Sequence, residues 1–302
     1  MAIKVKLFNK TIKKESADNF LILEAGTNHY ELGDCFGISH MEAGREMISA
    51  AASTGADAIK FQIYKADTLI HKKANDYNYI LRHSTMEYID YLDLMKHAKK
   101  EKIHFMATLF DEEGLEMFGN KLEVFKVASP DITYKPLLKK INEYGKPVLL
   151  SIGASNIDEI FSALNLLKNC PVIIMYCKAI YPLPDEKHNL GVIRELNKLF
   201  PKNVIGFSTH GDQINIVPAL HLGANVLEVH FKTSDSIYGN DYKISTMPQR
   251  AENLKNALNY FKTIYGNDII KVEPEEEPVR LNGRRRHYEI NGRTKFLRPF
   301  ND

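Results

Sequence analysis

The sequence predicts an α/β protein, a (β/α)8 TIM barrel with a short C-terminal tail. Three observations lead there. Short apolar, β-branched runs recur eight times, about every 20 to 45 residues. Each run is continuous rather than alternating, which suits strands covered on both faces. Stretches with helical spacing of apolar residues separate the runs, and eight strand–helix repeats in about 250 residues match a closed barrel. A doubly wound open sheet is the competing architecture. It ranks lower because no Gly-x-Gly-x-x-Gly follows the first run and no second domain is visible.

The elements follow in order. The first run is Leu21–Gly26, and the helix Met41–Ser53 after it gathers Met47, Ile48, Ala51 and Ala52 on one face. The turn Thr54-Gly55-Ala56 hands over to the second run, Asp57–Gln62. His104–Phe110 and Val124–Ser129 are the third and fourth. Tyr144-Gly145-Lys146 leads into the fifth, Pro147–Gly153, and the helix Ile157–Leu167 follows with Ile157, Ile160, Leu164 and Leu167 on one side. Val172–Cys177, Val204–Thr209 and Val226–Phe231 complete the set, the last introduced by Leu222-Gly223-Ala224. A barrel domain is expected over 1–270, its last helix running to about Tyr265. Residues 271–302 read as an acidic, proline-bounded linker (Glu273 to Pro278) and a tail carrying Arg284, Arg285, Arg286, Phe296 and Phe300.

Composition narrows the function. The 302 residues are 44% hydrophobic, enough for a sizeable core. Forty basic against 38 acidic side chains give a net charge of +2, so no global field recruits nucleic acid or an anionic membrane. Cys35, Cys170 and Cys177 form no CxxC pair. A disulfide framework and a thiolate zinc site are therefore not expected, and a reducing cytoplasm is. Met1 to Lys14 alternates lysine with apolar residues, so no signal peptide is expected. No apolar run approaches the roughly 18 residues of a spanning helix.

In a barrel the functional groups gather at the carboxyl ends of the strands. Those ends carry Glu24 and Asn28, Lys60, Lys126, Ser129 and Asp131, Ser151, Lys178 and Tyr181, Ser208 and His210, and Glu228 and His230. Lysines inside strands are costly unless an anion meets them. Two readings stand open for Lys60 and Lys126: internal ion pairs with Glu24 or Glu228, or, with Ser129 and Ser208, a pocket for phosphate or carboxylate. Two histidines on the neighbouring last strands, beside Glu228, suit a divalent metal such as Mn²⁺, Zn²⁺ or Fe²⁺. His71, His83, His97, His188 and His221 are expected at the surface.

Several segments together resemble one family, the sialic acid synthases and their legionaminic and pseudaminic acid relatives. They are Glu24-Ala25-Gly26-Thr27-Asn28-His29, Gly55 to Gln62, Phe125 to Ser129, Tyr181-Pro182, Ser208-Thr209-His210 and Gly223 to Phe231. The resemblance covers the barrel, about Leu21 to Tyr265. It implies condensation of phosphoenolpyruvate with an open-chain N-acetyl amino-sugar aldehyde, giving a nonulosonic acid and phosphate. It implies His210 and His230 as ligands of a divalent metal, usually Mn²⁺. Lys60, Lys126, Ser129, Ser151, Ser208, Asn28 and Lys178 would bind substrate, and Glu24 would move a proton or activate water. Tyr181 and Asp241 would face the sugar, with Asp131 as a further catalytic carboxylate. A homodimer is implied as well.

Departures fall within the site. Relatives carry glutamate where this chain has Asp131, and a threonine followed by asparagine or serine at Lys178-Ala179. Their Pro-Asp-His reads Asn240-Asp241-Tyr242, and their Thr-Pro-Phe-Asp reads Thr108-Leu109-Phe110-Asp111. The antifreeze-like domain that follows the barrel in relatives is expected to be absent, which leaves a tail arginine such as Arg285 to replace the one it supplies. Two alternatives remain open at this point. One is a metal- or lysine-dependent aldolase or lyase acting on a keto acid, prompted by Lys178. The other is a non-catalytic sugar-binding subunit.

Overall fold

The computed structural model describes residues 3–266 and 269–299, and Phe300 lies outside them. The chain divides into two compact units, Met1–Ile264 and Tyr265–Asp302. In the first, β1 (Lys4–Leu7) and β2 (Lys10–Lys13) form an antiparallel hairpin. Eight parallel strands then close into a barrel: β3 (Phe20–Gly26), β4 (Ala58–Ile63), β5 (His104–Leu109), β6 (Phe125–Val127), β7 (Val148–Ser151), β8 (Val172–Tyr176), β9 (Val204–Thr209) and β10 (Ala224–His230). Each pairs with its neighbours in sequence, and β10 returns to β3. All eight expected strands are present.

The helices surround this ring. After β3 come α1 (Asn28–Phe36) and α2 (His40–Ser53), and after β4 come α3 (Ala66–Leu69), α4 (Tyr77–Arg82) and α5 (Tyr88–Lys100). The later crossovers hold α6 (Glu112–Phe118), α7 (Lys135–Glu143), α8 (Ile157–Leu166), α9 (Val192–Leu199), α10 (Ile216–His221) and α11 (Pro248–Tyr265). Local chemistry sets their starts. At α2 the Ser39 hydroxyl accepts the Glu42 N–H at 3.1 Å, and the Glu42 carboxylate accepts the Ser39 N–H at 3.0 Å. Asn156 and Glu159 repeat this reciprocal cap at α8; each such cap is worth about 1 kcal/mol.

Two apolar layers result. The larger lies between strands and helices, where Leu23, Ile59, Val127 and Leu227 meet Met47, Leu94 and Leu137. The smaller fills the amino-terminal end of the barrel with Phe20, Ile22, Met106, Leu149, Ile173 and Val226. The hairpin plugs that end with Val5, Leu7, Phe8 and Ile12. The lysine alternation of the N-terminal segment is thus a strand pattern with one face buried: Val5 and Leu7 point inward between exposed Lys4 and Lys6. Gly206 of β9 has no side chain because Met175 occupies its place: a Cβ there would sit 2.2 Å from the Met175 sulfur.

The second unit, read from the sequence as a linker and tail, carries regular structure. It holds α12 (Glu277–Gly283) and an antiparallel hairpin of β11 (Arg286–Ile290) and β12 (Arg293–Leu297). Asn291 and Gly292 make the turn with φ of 54° and 69°, the mirror-image geometry for which Asn-Gly is the preferred pair.

Candidate active site

Inward positions on each strand change character from bottom to top. On β3 they read Phe20, Ile22, Glu24; on β9, Val204, Gly206, Ser208; on β10, Val226, Glu228, His230. The lower members belong to the interior apolar layer, and the upper ones line a cavity of about 300 Å³ at the carboxyl ends of the strands. Register sets neighbours: Glu24 lies beside Lys60 on one side and His230 on the other, and Ser208 lies beside Glu228.

The floor of the cavity is a set of buried charges. Lys60 forms an ion pair with Glu24 at 2.5 Å and approaches Glu228 at 3.8 Å, while donating to the Thr108 hydroxyl at 3.1 Å. Lys126 donates to both oxygens of Glu228 at 2.9 Å, and Ser208 donates to one of them at 3.0 Å. Burial alone would discharge Lys60, but Glu228 and Glu24 outweigh it and raise its pKa. Burial opposes the charge of Glu228 too, and Lys126 and Lys60 still hold its carboxyl well below the usual range. The internal ion pairs are therefore real, and both lysines nonetheless line the cavity. Gln62 donates to the other oxygen of Glu24 at 3.0 Å.

Above the floor stand the two histidines, with ring centroids 5.4 Å apart. Nδ1 of His210 lies 2.6 Å from the Lys178 carbonyl. A carbonyl only accepts, so Nδ1 carries the proton and Nε2 keeps its lone pair. Burial, then the nearby His230, lowers the His210 pKa to about 4, so this ring is neutral near pH 7. Nδ1 of His230 is buried, makes no hydrogen bond and faces Oδ2 of Asp241 at 3.4 Å. Burial disfavours its charged form, but Asp241, Glu24 and Glu228 prevail and the pKa is raised. The Tyr181 ring packs on His210 at 4.0 Å.

Most of the expected site residues converge. Glu24, Lys60, Lys126, Ser129, Ser151, Tyr181, Ser208, His210, His230 and Asp241 all line the cavity. Four do not. Asn28 spends its amide on the Phe231 carbonyl at 2.9 Å and the Ser245 hydroxyl at 3.1 Å, clasping the end of β10. Cys177 and Ala179 line the wall while Lys178 between them does not, as alternation along an extended segment requires. That placement weakens the lysine-aldolase alternative. Asp131 sits in a 3-10 turn (Ser129–Thr133) beside the cavity, its Oδ2 buried without a partner. Arg285 is exposed in the second unit.

The sequence reading also missed contributors. Gln62, Thr108, Tyr64, Tyr79, Ile80 and Phe110 line the cavity. Gln62 and Thr108 stand at strand ends and were open to the same strand-end argument, whereas Tyr79 and Ile80 come from a crossover segment without periodicity. His83 and His188, expected at the surface, are each 4% exposed. His83 bonds Glu31 at 2.8 Å, and His188 bonds Thr209 at 3.3 Å.

The donor set fits a divalent metal of the open, catalytic kind. Two imidazoles, one with a fixed tautomer and one with an orphaned buried nitrogen beside a carboxylate, suit a borderline cation. Among the described residues no three His, Cys, Asp or Glu side chains are grouped to hold an ion unaided, so water or substrate would complete the sphere.

Comparison with known proteins agrees with this geometry. A model of the NeuB family matches residues 47–270. The N,N'-diacetyllegionaminic acid synthase of Campylobacter jejuni is 34% identical over 277 residues, spanning 85% of this chain and 80% of its own. Human N-acetylneuraminate-9-phosphate synthase is 31% identical over 274 residues, 85% and 74% of the two chains. The crystal structure of a sialic acid synthetase from Leptospira borgpetersenii, in complex with citrate, matches with a TM-score of 0.83 at 29% identity, covering 92% of this chain and 95% of that one. With its closed barrel, its charged cavity and the matched stretch of residues, this chain belongs to the NeuB family and is an enzyme of the synthase type.

Proposed function

We propose that this protein condenses phosphoenolpyruvate with an open-chain N-acetylated amino-sugar aldehyde, releasing phosphate and a nonulosonic acid. The observation that carries the reading is the placement of two lysines in the floor of a cavity topped by His210 and His230. Lys60 and Lys126, with the hydroxyls of Ser129, Ser151 and Ser208, hold the phosphate and carboxylate of phosphoenolpyruvate. Their pairing with Glu24 and Glu228 fixes both ammonium groups in place before substrate arrives, so little reorganisation is needed on binding. The C3 carbon of phosphoenolpyruvate then bonds to the aldehyde carbon, water adds at C2, and the C2–O bond breaks to free phosphate. Glu24, held by Lys60 and Gln62, is placed to take the proton of that water.

His210 and His230 would hold the divalent metal, most suitably Mn²⁺; when bound, it supplies Lewis-acid polarisation of the aldehyde oxygen. Asp241 orients His230, and Tyr181 covers His210. The same reading carries with it a homodimer and a cytoplasmic setting; among the described residues no helix is long and apolar enough to cross a membrane. A phosphate-release assay with phosphoenolpyruvate and a panel of N-acetylated hexoses, with and without Mn²⁺, tests the proposal. Release that needs both substrates supports it, and no release with any acceptor removes it.

A further inference from the structure

The carboxylate that faces His230 is carried by a loop, and the loop is held from outside the cavity. After β10 the chain leaves the barrel at Phe231 and returns at Thr246, where these two residues bridge in parallel. The Thr246 N–H donates to the His230 carbonyl at 2.7 Å, and the Lys232 N–H donates to the Thr246 carbonyl at 3.0 Å. The returning segment contains a 3-10 turn (Tyr242–Ile244), and Asp241 sits immediately before it. Three side chains grip its carbonyls. Ser245 Oγ donates to that of Asp241 at 2.8 Å, and Lys232 Nζ donates to that of Tyr242 at 3.1 Å. Gln213 Nε2, from the crossover after β9, donates to that of Ile244 at 2.6 Å.

Asn28 closes the base of the loop. Its amide donates to the Phe231 carbonyl and the Ser245 hydroxyl, so one side chain ties the residue after His230 to the residue that holds Asp241. Its neighbour His29 is fully buried and bonds the Tyr91 hydroxyl at 3.3 Å, which pins the start of α1 to α5. Lys232 braces the loop from within. Its buried Nζ pairs with Asp235 at 2.8 Å and lies 4.7 Å from the centre of the Tyr242 ring. Tyr242 stands where relatives carry histidine, so the ring that meets the ammonium is one of this chain's departures. Burying an ammonium is costly. Neither Lys232 nor Asn28 lines the cavity; what both secure is the backbone on either side of Asp241.

That backbone matters because Asp241 Oδ2 lies 3.4 Å from Nδ1 of His230, just beyond a well-formed hydrogen bond. A small movement of the loop makes or breaks the bond, and such a partner sets the orientation and basicity of a metal-binding imidazole. Resting on the proposed metal site, we infer that Asn28 and Lys232 are positioning residues: from outside the cavity they place Asp241 against His230 and so set the affinity of the two histidines for a divalent cation.

Calorimetric titration of the full chain with Mn²⁺, and separately with phosphoenolpyruvate in the absence of metal, tests this. Asn28→Ala and Lys232→Met should each raise the Mn²⁺ Kd about tenfold, at the lower end of what outer partners of metal ligands contribute. The phosphoenolpyruvate Kd should stay unchanged, because Lys60 and Lys126 stand on β4 and β6. Lys232→Arg, which keeps a donor and a cation over the ring, should bind Mn²⁺ nearly as wild type does. Lys232→Met strands no buried charge, since Asp235 is 78% exposed, and Ser245→Ala is the further probe if Asn28→Ala does not fold. A double-mutant cycle with Asp241→Ala decides the route. In that background each variant should change the Mn²⁺ Kd by less than about twofold, because the carboxylate it places is gone. Full additivity in the cycle, an unchanged Mn²⁺ Kd in the single variants, or a parallel rise in both constants overturns the inference and leaves the proposed function standing. A wild-type chain that binds no Mn²⁺ removes the metal from that function, and the inference with it.

Discussion

Nζ of Lys126 lies 2.9 Å from both carboxylate oxygens of Glu228, and the pair crosses the barrel from wall to wall. Lys126 is on β6 and Glu228 on β10, four places apart in a ring of eight strands, so they face each other across its interior. Lys60 approaches the same carboxylate from a third strand. A buried pair of this kind is strongly coupled to folding, because either charge left alone is desolvated without compensation.

Lys126→Met should therefore cost about 3–5 kcal/mol, and the Lys126→Met, Glu228→Leu double variant should recover most of that while staying inactive. Denaturant titration of the three proteins checks it; additive losses in the double variant would show the pair is not coupled. The pH dependence has a definite sign. Glu228 is held well below its ordinary 4.5, so its stabilisation is present above that value and is lost as pH falls below it through the folded pKa.

Phosphoenolpyruvate should raise the melting temperature of the wild-type chain by mass action, equivalent to about 2.7 kcal/mol at a hundredfold excess over Kd. Lys126→Met should remove most of that shift. A wild-type chain unmoved by millimolar ligand would mean that the floor of the cavity holds something else.

Single replacement of His210 or His230 by alanine should strip bound Mn²⁺ and abolish turnover, with the circular dichroism spectrum preserved. Metal content after dialysis against Mn²⁺ is the measurement. Full occupancy in both variants would dissociate the histidines from metal binding.

The barrel was legible because each strand is buried on both faces and so reads as an unbroken apolar run, as in Leu21–Gly26 or Val204–Thr209. The site was legible where it obeys the same strand geometry: Glu24, Lys60, Lys126, Ser208, Glu228 and His230 are polar residues at inward positions near strand ends. Where the reading failed, contacts come from far apart in sequence. His83 and Glu31 are 52 residues apart, and nothing in the spacing around His83 signals a buried partner. Asn28 matches the motif and Lys178 stands where relatives carry threonine, yet one is drawn into a clasp and the other alternates away from the cavity. The two hairpins left traces that were underused: the lysine alternation before Lys14, and the Asn291-Gly292 turn.

Asp131 gives the remaining prediction, and it turns on burial rather than on chemistry. Its Oδ2 is buried without a hydrogen-bond donor, and that burial pushes its carboxyl from 3.8 up to about 6. Between those two values the folded chain binds more protons at this position than the unfolded chain does. Stability must then fall as pH rises through that window, the reverse of the effect at Glu228. Because the residue is partly exposed, screening limits the effect to about 1–2 kcal/mol. Asp131→Asn removes the titration while keeping the shape, so it should be more stable than wild type at pH 7 and nearly equal to it at pH 4. Melting temperatures of both proteins at pH 4, 5, 6 and 7 provide the comparison. Parallel curves across that range would show that Asp131 finds a partner in solution and ionises as an ordinary carboxylate.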